Sequence, residues 1–190
     1  MIKNVEKAKK TAEIVQLVAF TVADGRYALD IMRIKEIINP VKITQVPKAP
    51  QFIEGVIELR GAILPVIDLR KRFDLLATEP TRSTKILIVT VEVAEKRMIV
   101  GLVVDGVNEP LRVAADQIRP APALASGESA YFSGVVNRRR QARGEPAPGL
   151  RERRRPVEDE DEGIFMLLDL DAILSSKEKI SLAGLSGGAS

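Results

Sequence analysis

Apolar residues recur at every second position in short runs along most of this chain, and turn residues separate the runs. Alternate apolar positions within residues 18–22 form one face of a predicted strand, and Asp24-Gly25 provides a hairpin turn. The alternation returns within residues 27–31 on the following strand. Because apolar spacing typical of helices is scarce, the pattern predicts a mainly β chain that opens with a hairpin.

The pattern continues into further predicted strands at Ile34–Ile38, Phe52–Leu59 and Ala62–Asp68. Prolines interrupt the long connection between the first two of these strands. The carboxylate of Asp68 is well placed to cap a helix, and basic residues follow it. We therefore expect a short helix over Leu69–Phe73.

The second half of the chain repeats the plan of the first. Residues 86–91 and 98–104 mirror the opening hairpin, residues 131–137 mirror 52–58, and residues 164–170 mirror 62–69. Since a closed barrel removes the exposed strand edges that cause aggregation, two such units predict twin small β-barrels. The first barrel is expected at about 14–84 and the second at about 85–176.

A charged insertion at 138–162 occupies the position of a tight turn in the first copy. It holds eight Arg and seven Asp or Glu among several Pro and Gly residues, and it has few apolar residues to bury. We expect a mobile loop of mixed charge there, with a mobile tail at 1–13 and a second tail at 177–190. The rest of the chain has 21 basic and 19 acidic residues, so the net charge of +3 does not predict a nucleic-acid-binding face.

The residue types present exclude most catalytic chemistry. The chain has no Cys and no His, so it lacks cysteine and imidazole nucleophiles, bases and metal ligands. Phosphate-binding glycine motifs are also absent, and the acidic run at 158–162 is typical of a solvated segment. We therefore predict no catalytic residue, no metal and no cofactor.

The chain also lacks a predicted membrane segment. No stretch approaches the roughly 18 uninterrupted apolar residues of a membrane span, and the first residues lack the apolar core of a signal peptide. With 190 residues, of which 45% are apolar, the chain is long enough to bury a core. We expect a cytoplasmic protein that is not inserted in a membrane.

Four ordered motifs give the chain a family resemblance. They are Arg26–Ile37, Phe52–Arg70, Gly101–Val107 and Gln117–Pro122. From about Ile14 to about Ser175 the chain resembles the CheW family of chemotaxis coupling proteins. The resemblance implies two five-stranded SH3-like barrels. It also implies a non-enzymatic adaptor that joins chemoreceptor cytoplasmic tips to the regulatory domain of the histidine kinase CheA.

The resemblance also implies a receptor-binding groove at Ile34, Glu36, Gly55 and Arg60. Ile34 fits either a partner contact or a core position, since alternation does not say which face meets the core. Gly55 fits a backbone requirement better than a contact. The family counterpart of Arg60 is linked to that of Glu36, so we expect a bidentate ion pair between them; an exposed turn arginine without a partner is the alternative.

The kinase-binding surface is predicted in the second hairpin region. CheW and the CheA regulatory domain resemble each other and pack barrel against barrel, so exposed apolar residues on a barrel rim would suit this contact. Ile86, Leu102 and Val104 are the candidates, and burial of all three inside the strands is the alternative. The 138–162 insertion either adds an electrostatic contact or is an inert solvated loop.

Other classes remain open at this point. A small β-barrel that binds nucleic acid would stack bases on aromatic residues, but the chain has five Phe, two Tyr and no Trp, with no aromatic and basic stripe. An adaptor of another chemosensory pathway, a CheV-like adaptor or a CheA domain would share the barrels. Fifteen residues follow Ser175, too few for a receiver domain, so we expect a free-standing adaptor.

Overall fold

A computed structural model of the chain describes residues 13–93, 96–121, 131–138, 163–174 and 178. The predicted tails lie outside the described residues except for Glu13 and Glu178, as does the predicted insertion except for Arg138. No helix in the described part of the chain is long and apolar enough to cross a membrane.

Eleven strands and the short helix α1 (Leu69–Arg72) make up most of the regular structure of the described residues. The strands are β1 (Ile14–Val22), β2 (Gly25–Asp30), β3 (Ile34–Ile38), β4 (Ile53–Leu59), β5 (Ala62–Asp68), β6 (Lys85–Val93), β7 (Lys96–Val104), β8 (Gly106–Ala114), β9 (Ile118–Pro120), β10 (Phe132–Arg138) and β11 (Gly163–Leu168). Helix α1 spans Leu69–Arg72, and 3-10 turns span Ile31–Arg33 and Ala115–Gln117. The predicted opening hairpin, the three strands that follow it and the short helix are all confirmed.

The strands form two sheets. One sheet has five strands in the order β3-β6-β7-β5-β4, and the other has six in the order β8-β1-β2-β11-β10-β9. Strands β5 and β7 pair in parallel in the first sheet, as β11 and β2 do in the second. This arrangement confirms the mainly β fold with two subdomains, and the three-residue strand β9 adds a sixth strand to one of them.

Each sheet curls around its own apolar cluster. Ile38 of edge strand β3 and Leu59 of the opposite edge strand β4 pack on the same cluster of the five-stranded sheet. In the six-stranded sheet, Leu111 of β8 and Ile118 of β9 likewise share one cluster. Residues from opposite edges can meet this way only if the sheet is strongly curved, so both sheets are barrel-like.

The two sheets do not divide at residue 84, where the repeat placed the boundary between the barrels. Strands β1 and β2 belong with β8–β11, whereas β3–β7 form the other sheet. Three residues separate β2 from β3, and only Asp105 separates β7 from β8. These connections are too short to return along the preceding hairpin and cross its first strand, and the strand that follows each of them, β3 after β2 and β8 after β7, belongs to the other sheet.

A large apolar core fills the space between the barrels. Strands β1 and β2 contribute Phe20 and Tyr27 to it, β7 contributes Val100, and the residue after α1 contributes Phe73. The ring of Tyr27 lies 5.7 Å from that of Phe20 and 5.3 Å from that of Phe73. The central strands therefore bury both faces, one inside a barrel and the other against the neighbouring barrel.

Candidate functional site: the edge of the five-stranded barrel

An ion pair joins the two edges of the five-stranded barrel. Arg60 lies in the turn between β4 and β5, and its Nη2 donates a hydrogen bond to Oε2 of Glu36 on β3 at 2.9 Å. The pairing predicted for these residues is confirmed, although one guanidinium nitrogen makes the contact and not two. Since β3 and β4 are opposite edge strands, the pair spans the line along which the barrel closes.

The exposure of the two partners differs strongly. The side chain of Arg60 is 79% exposed and that of Glu36 is 28% exposed. An ion pair this exposed contributes about 1 kcal/mol or less to stability. Glu36 therefore orients the guanidinium more than it stabilises the fold, and most of Arg60 faces solvent.

Gly55 is a backbone requirement. Its φ is +147°, and a Cβ placed on it would lie 2.1 Å from the carbonyl oxygen of Thr44. Thr44 and Val56 exchange two backbone hydrogen bonds, of 2.9 and 2.8 Å, directly beside this glycine. Gly55 is buried, so it sets the path of the neighbouring chain and offers no side-chain contact.

Ile34 is half-buried and packs against the core between the barrels, opposite Val89 of β6. Its side chain therefore takes the core position that the alternation left open, and part of it stays exposed. Met32 and Ile37 on either side of it are 84% and 42% exposed. We call Met32, Ile34, Glu36, Ile37 and Arg60 the β3 surface.

Sequence reasoning missed two members of the β3 surface. A usable signal was present for Ile37, since Ile37 and Ile38 are consecutive apolar residues in a strand and only one of them can face the barrel interior. Met32 gave no comparable signal. Its exposure follows from the 3-10 turn at Ile31–Arg33, which interrupts the strand alternation.

The predicted kinase contacts at Ile86, Leu102 and Val104 are wrong as surface positions. Their relative exposures are 1%, 0% and 1%. Ile86 lies in the interior of the five-stranded barrel, while Leu102 and Val104 lie in the core between the barrels. Strands β6 and β7 are internal strands covered on both faces, which is why alternation did not identify an outer face.

A charged groove of about 420 Å³ lies beside α1. Its walls include Glu54, Asp68, Arg70, Lys71 and Asp105. Arg70 pairs with Asp105, and Lys71 pairs with Glu54. The pairing with Asp105 raises the pKa of Arg70 above its ordinary value, so Arg70 remains charged.

Asp68 caps α1 from within this groove. Its Oδ1 accepts hydrogen bonds from the backbone nitrogens of Arg70 at 2.7 Å and Lys71 at 3.4 Å. Burial raises the pKa of Asp68 above its ordinary value, and the two backbone hydrogen bonds oppose that shift. Within the described residues, no three acidic side chains cluster closely enough to hold a metal ion.

These features define a class of protein: a two-barrel β module with a partly apolar edge surface that carries one oriented arginine. The chain belongs to the family of CheW-like domains, whose family profile matches residues 16–178.

Two curated relatives illustrate this membership. The chemotaxis protein CheW of Rhizobium meliloti is 38% identical over 122 residues, which cover 64% of this chain and 76% of the relative. The chemotaxis protein CheW of Klebsiella aerogenes is 31% identical over 164 residues, which cover 86% of this chain and 83% of the relative.

A solved structure resembles the whole arrangement. The crystal structure of the scaffolding protein TtCheW from Thermoanaerobacter tengcongensis matches with a TM-score of 0.68 and 28% sequence identity. The match covers 87% of this chain and 97% of that protein. The likeness therefore extends over both barrels.

Proposed function

We propose that this protein is a non-enzymatic scaffold that couples the cytoplasmic tips of chemoreceptors to the histidine kinase CheA. The observation that carries the proposal is the match to the CheW-like domain along residues 16–178. Relatives of similar length are named chemotaxis proteins CheW, and a structural relative is a scaffolding protein. Such a role places the protein in the cytoplasm.

The β3 surface is the proposed receptor contact. Arg60 supplies a positive charge that Glu36 holds at the barrel edge, and Met32 and Ile37, on the same segment as Glu36, supply exposed apolar area. A helical receptor hairpin with an apolar stripe and a nearby carboxylate would complement this combination. Among the described residues Arg60 pairs with Glu36 through one nitrogen, which leaves most of its guanidinium open to such a carboxylate.

Ile34 and Gly55 have supporting roles in this proposal. Ile34 reaches from the surface into the core, so it fixes the position of β3 relative to the barrel. Gly55 lets the chain at Thr44 approach β4 closely. Neither residue has to touch the receptor to be required for binding.

The regulatory domain of CheA is the proposed second partner. Because Ile86, Leu102 and Val104 are buried, their side chains do not form this contact. A change at Arg60 is therefore expected to separate the two binding activities, since it alters the edge of one barrel and leaves the internal strands intact.

Titration calorimetry with Arg60→Glu tests the proposal. The wild-type protein is expected to bind both a receptor tip fragment and a CheA regulatory domain from the same genome. Reversal of the charge is expected to weaken receptor binding by at least about tenfold, because it replaces attraction by repulsion, and to leave CheA binding within about twofold. Arg112→Glu is the matched control, since it reverses an exposed strand arginine on the other barrel.

The outcomes separate the function from the site. If the wild-type protein binds neither partner, the coupling function is refuted. If Arg60→Glu and Arg112→Glu weaken receptor binding equally, the effect is one of overall charge and the β3 surface is not the receptor contact.

A further inference from the structure

Two charged junctions hold the barrels together where the chain passes from one sheet to the other. In the first junction (Ala23, Arg70 and Asp105), Arg70 donates from Nε to both carboxylate oxygens of Asp105, at 2.8 and 3.0 Å. The same carboxylate accepts a hydrogen bond from the backbone nitrogen of Ala23 at 2.6 Å. Asp105 is the residue between β7 and β8, so the junction lies at that passage.

The second junction (Arg33, Glu92 and Asp171) lies at the passage from β2 to β3. Arg33 forms an ion pair with Asp171, and a second, longer one of 3.7 Å with Glu92. Oδ1 of Asp171 accepts a hydrogen bond from the backbone nitrogen of Glu92 at 2.8 Å. The two junctions are built alike. Each contains a residue from the connection between the sheets (Asp105 or Arg33), a residue that follows a parallel-paired strand (Arg70 or Asp171), and a backbone nitrogen near a hairpin tip (Ala23 or Glu92).

The parallel strand pairs relate the two junctions. Val66 of β5 lies opposite Gly101 of β7, and Leu167 of β11 lies opposite Ala28 of β2. Two residues after Val66 and after Leu167, the chain reaches an aspartate that caps the following turn. Strands β5 and β11 are therefore equivalent, as are β7 and β2.

This equivalence extends to the charged residues. Asp68 accepts from the backbone nitrogen of Arg70 at 2.7 Å, and Asp169 accepts from that of Asp171 at 2.9 Å. Arg70 and Asp171 therefore hold the same position in the two repeats, and they have opposite charges.

The passage residues are reversed in the same way. Asp105 follows β7 and carries a negative charge, whereas Arg33 follows β2 and carries a positive charge. The backbone nitrogens near the hairpin tips also correspond. Ala19 pairs with Ala28, and Ala23 lies four residues after Ala19; Ile88 pairs with Gly101, and Glu92 lies four residues after Ile88. The first repeat thus carries two junction arginines and the second carries two junction aspartates.

The short passages make the choice of partner important. The hairpins β1-β2 and β6-β7 each complete a barrel whose remaining strands come largely from the other repeat. That other repeat can belong to the same chain or to a second copy. If two first repeats from different copies exchanged hairpins, Arg33 of one would meet Arg70 of the other. If two second repeats did so, Asp105 would meet Asp171.

We propose that the reversed charges of the two junctions select pairing between unlike repeats and reject exchange of hairpins between like repeats of a second copy. Pairing of unlike repeats places every junction arginine against a junction aspartate. Pairing of like repeats replaces both attractions by repulsions at partly buried positions, where charges are weakly screened.

A charge exchange separates this selection from ordinary stabilisation. The variant Arg70→Asp/Asp105→Arg keeps an opposite-charge pair in the first junction, with the carboxylate placed as Asp171 places it in the second. It also makes like-repeat pairing attractive, because Arg33 would then meet a carboxylate at position 70. Adding Arg33→Asp and Asp171→Arg retains both native pairs and restores repulsion between like repeats.

Engineered cysteines report which repeats have paired, and the chain has no cysteine of its own. Gln16 and Arg112 are exposed neighbours on β1 and β8, so Gln16→Cys/Arg112→Cys reports the native pairing within one chain. When β1 takes the place of β6, Gln16 takes that of Lys85, whose side chain contacts Asn39. Gln16→Cys/Asn39→Cys therefore gives a covalent dimer when like repeats exchange.

Each cysteine pair is introduced into three forms of the full chain. These are the chain with native charges, the two-charge variant (Arg70→Asp/Asp105→Arg), and the four-charge variant that adds Arg33→Asp and Asp171→Arg. The proteins are refolded in glutathione buffer, and disulfide-linked products are identified by non-reducing electrophoresis and mass spectrometry. The dimer linked through positions 16 and 39 is expected to increase at least about tenfold with two exchanged charges and to return to within about twofold of the native level with four.

Two results would overturn the proposal. One is an unchanged 16–39 dimer in the two-charge variant, and the other is a four-charge variant that forms as much dimer as the two-charge variant. If the two-charge variant aggregates, the four-charge variant still decides: recovery of the 16–112 disulfide within one chain supports the selection, and failure to recover it overturns the selection.

Discussion

Replacement of Gly55 by alanine is expected to be among the most damaging single-atom changes in this protein. The new Cβ would lie 2.1 Å from the carbonyl oxygen of Thr44 and 2.7 Å from its carbonyl carbon. Both are backbone atoms, so no side-chain rotation relieves the overlap. The φ of +147° adds a strain of about 1–3 kcal/mol for a residue with a Cβ.

The overlap also endangers two backbone hydrogen bonds. Thr44 and Val56 exchange them at 2.9 and 2.8 Å, and displacement of the chain at Thr44 would break both. At about 1 kcal/mol each, their loss brings the total cost of Gly55→Ala to about 3–5 kcal/mol. Such a cost is a large share of the ~5–15 kcal/mol by which native domains are stable.

Urea denaturation followed by circular dichroism measures this cost, and Gly61→Ala provides the control. Gly61 has a φ of +82°, but among the described residues other than its two chain neighbours no atom lies within 4 Å of the position of its Cβ. We expect about 1–2 kcal/mol for Gly61→Ala, from backbone strain alone. Equal losses of stability for the two variants would refute the role given to the Thr44 contact.

Two further changes test the charges around α1. Because burial raises the pKa of Asp68 above its ordinary value of 3.8, its ionised form costs stability at neutral pH, and that cost disappears as the pH falls through the raised pKa. Asp68→Asn keeps a capping oxygen, so we expect the urea midpoint of the wild type to rise relative to this variant from pH 7 towards pH 4; a constant difference would contradict this. Arg72 lies between the rings of Phe52 and Tyr131, 4.3 and 4.9 Å from their centroids, and pairs with Glu178 at 3.1 and 3.2 Å. Glu178→Gln leaves this largely buried cation without its carboxylate, so we expect it to lower the free energy of unfolding by about 2 kcal/mol in the same assay. A loss of stability no larger than that of an exposed Glu→Gln control would refute the contribution of this contact.

Local signals accounted for much of the fold. The hairpin of β1 and β2 followed from alternation and the Asp24-Gly25 turn, and α1 followed from Asp68 and the residues after it. These features depend on neighbours in the chain, so a single sequence contains the necessary information. Strand β8 is harder to anticipate, because its alternation is weak and Pro110 interrupts it.

The candidate site was only partly accessible in this way. The pairing of Glu36 with Arg60 came from the family resemblance, since a separation of 24 residues along the chain does not reveal a contact. The error at Ile86, Leu102 and Val104 has a physical cause. A strand buried on both faces presents apolar residues at consecutive positions, and the pattern then contains no mark of an outer face.

The sequence by itself determined most of the strands and turns, the two repeats and the absence of thiol and imidazole chemistry, because these depend on residue type and on short-range spacing. The tertiary structure alone decided which hairpin completes which barrel. That choice depends on passages of one and three residues, on a core shared by both sheets and on charges more than 30 residues apart, such as Arg70 and Asp105. Contacts of this kind form only when the whole chain has folded, so no local pattern encodes them.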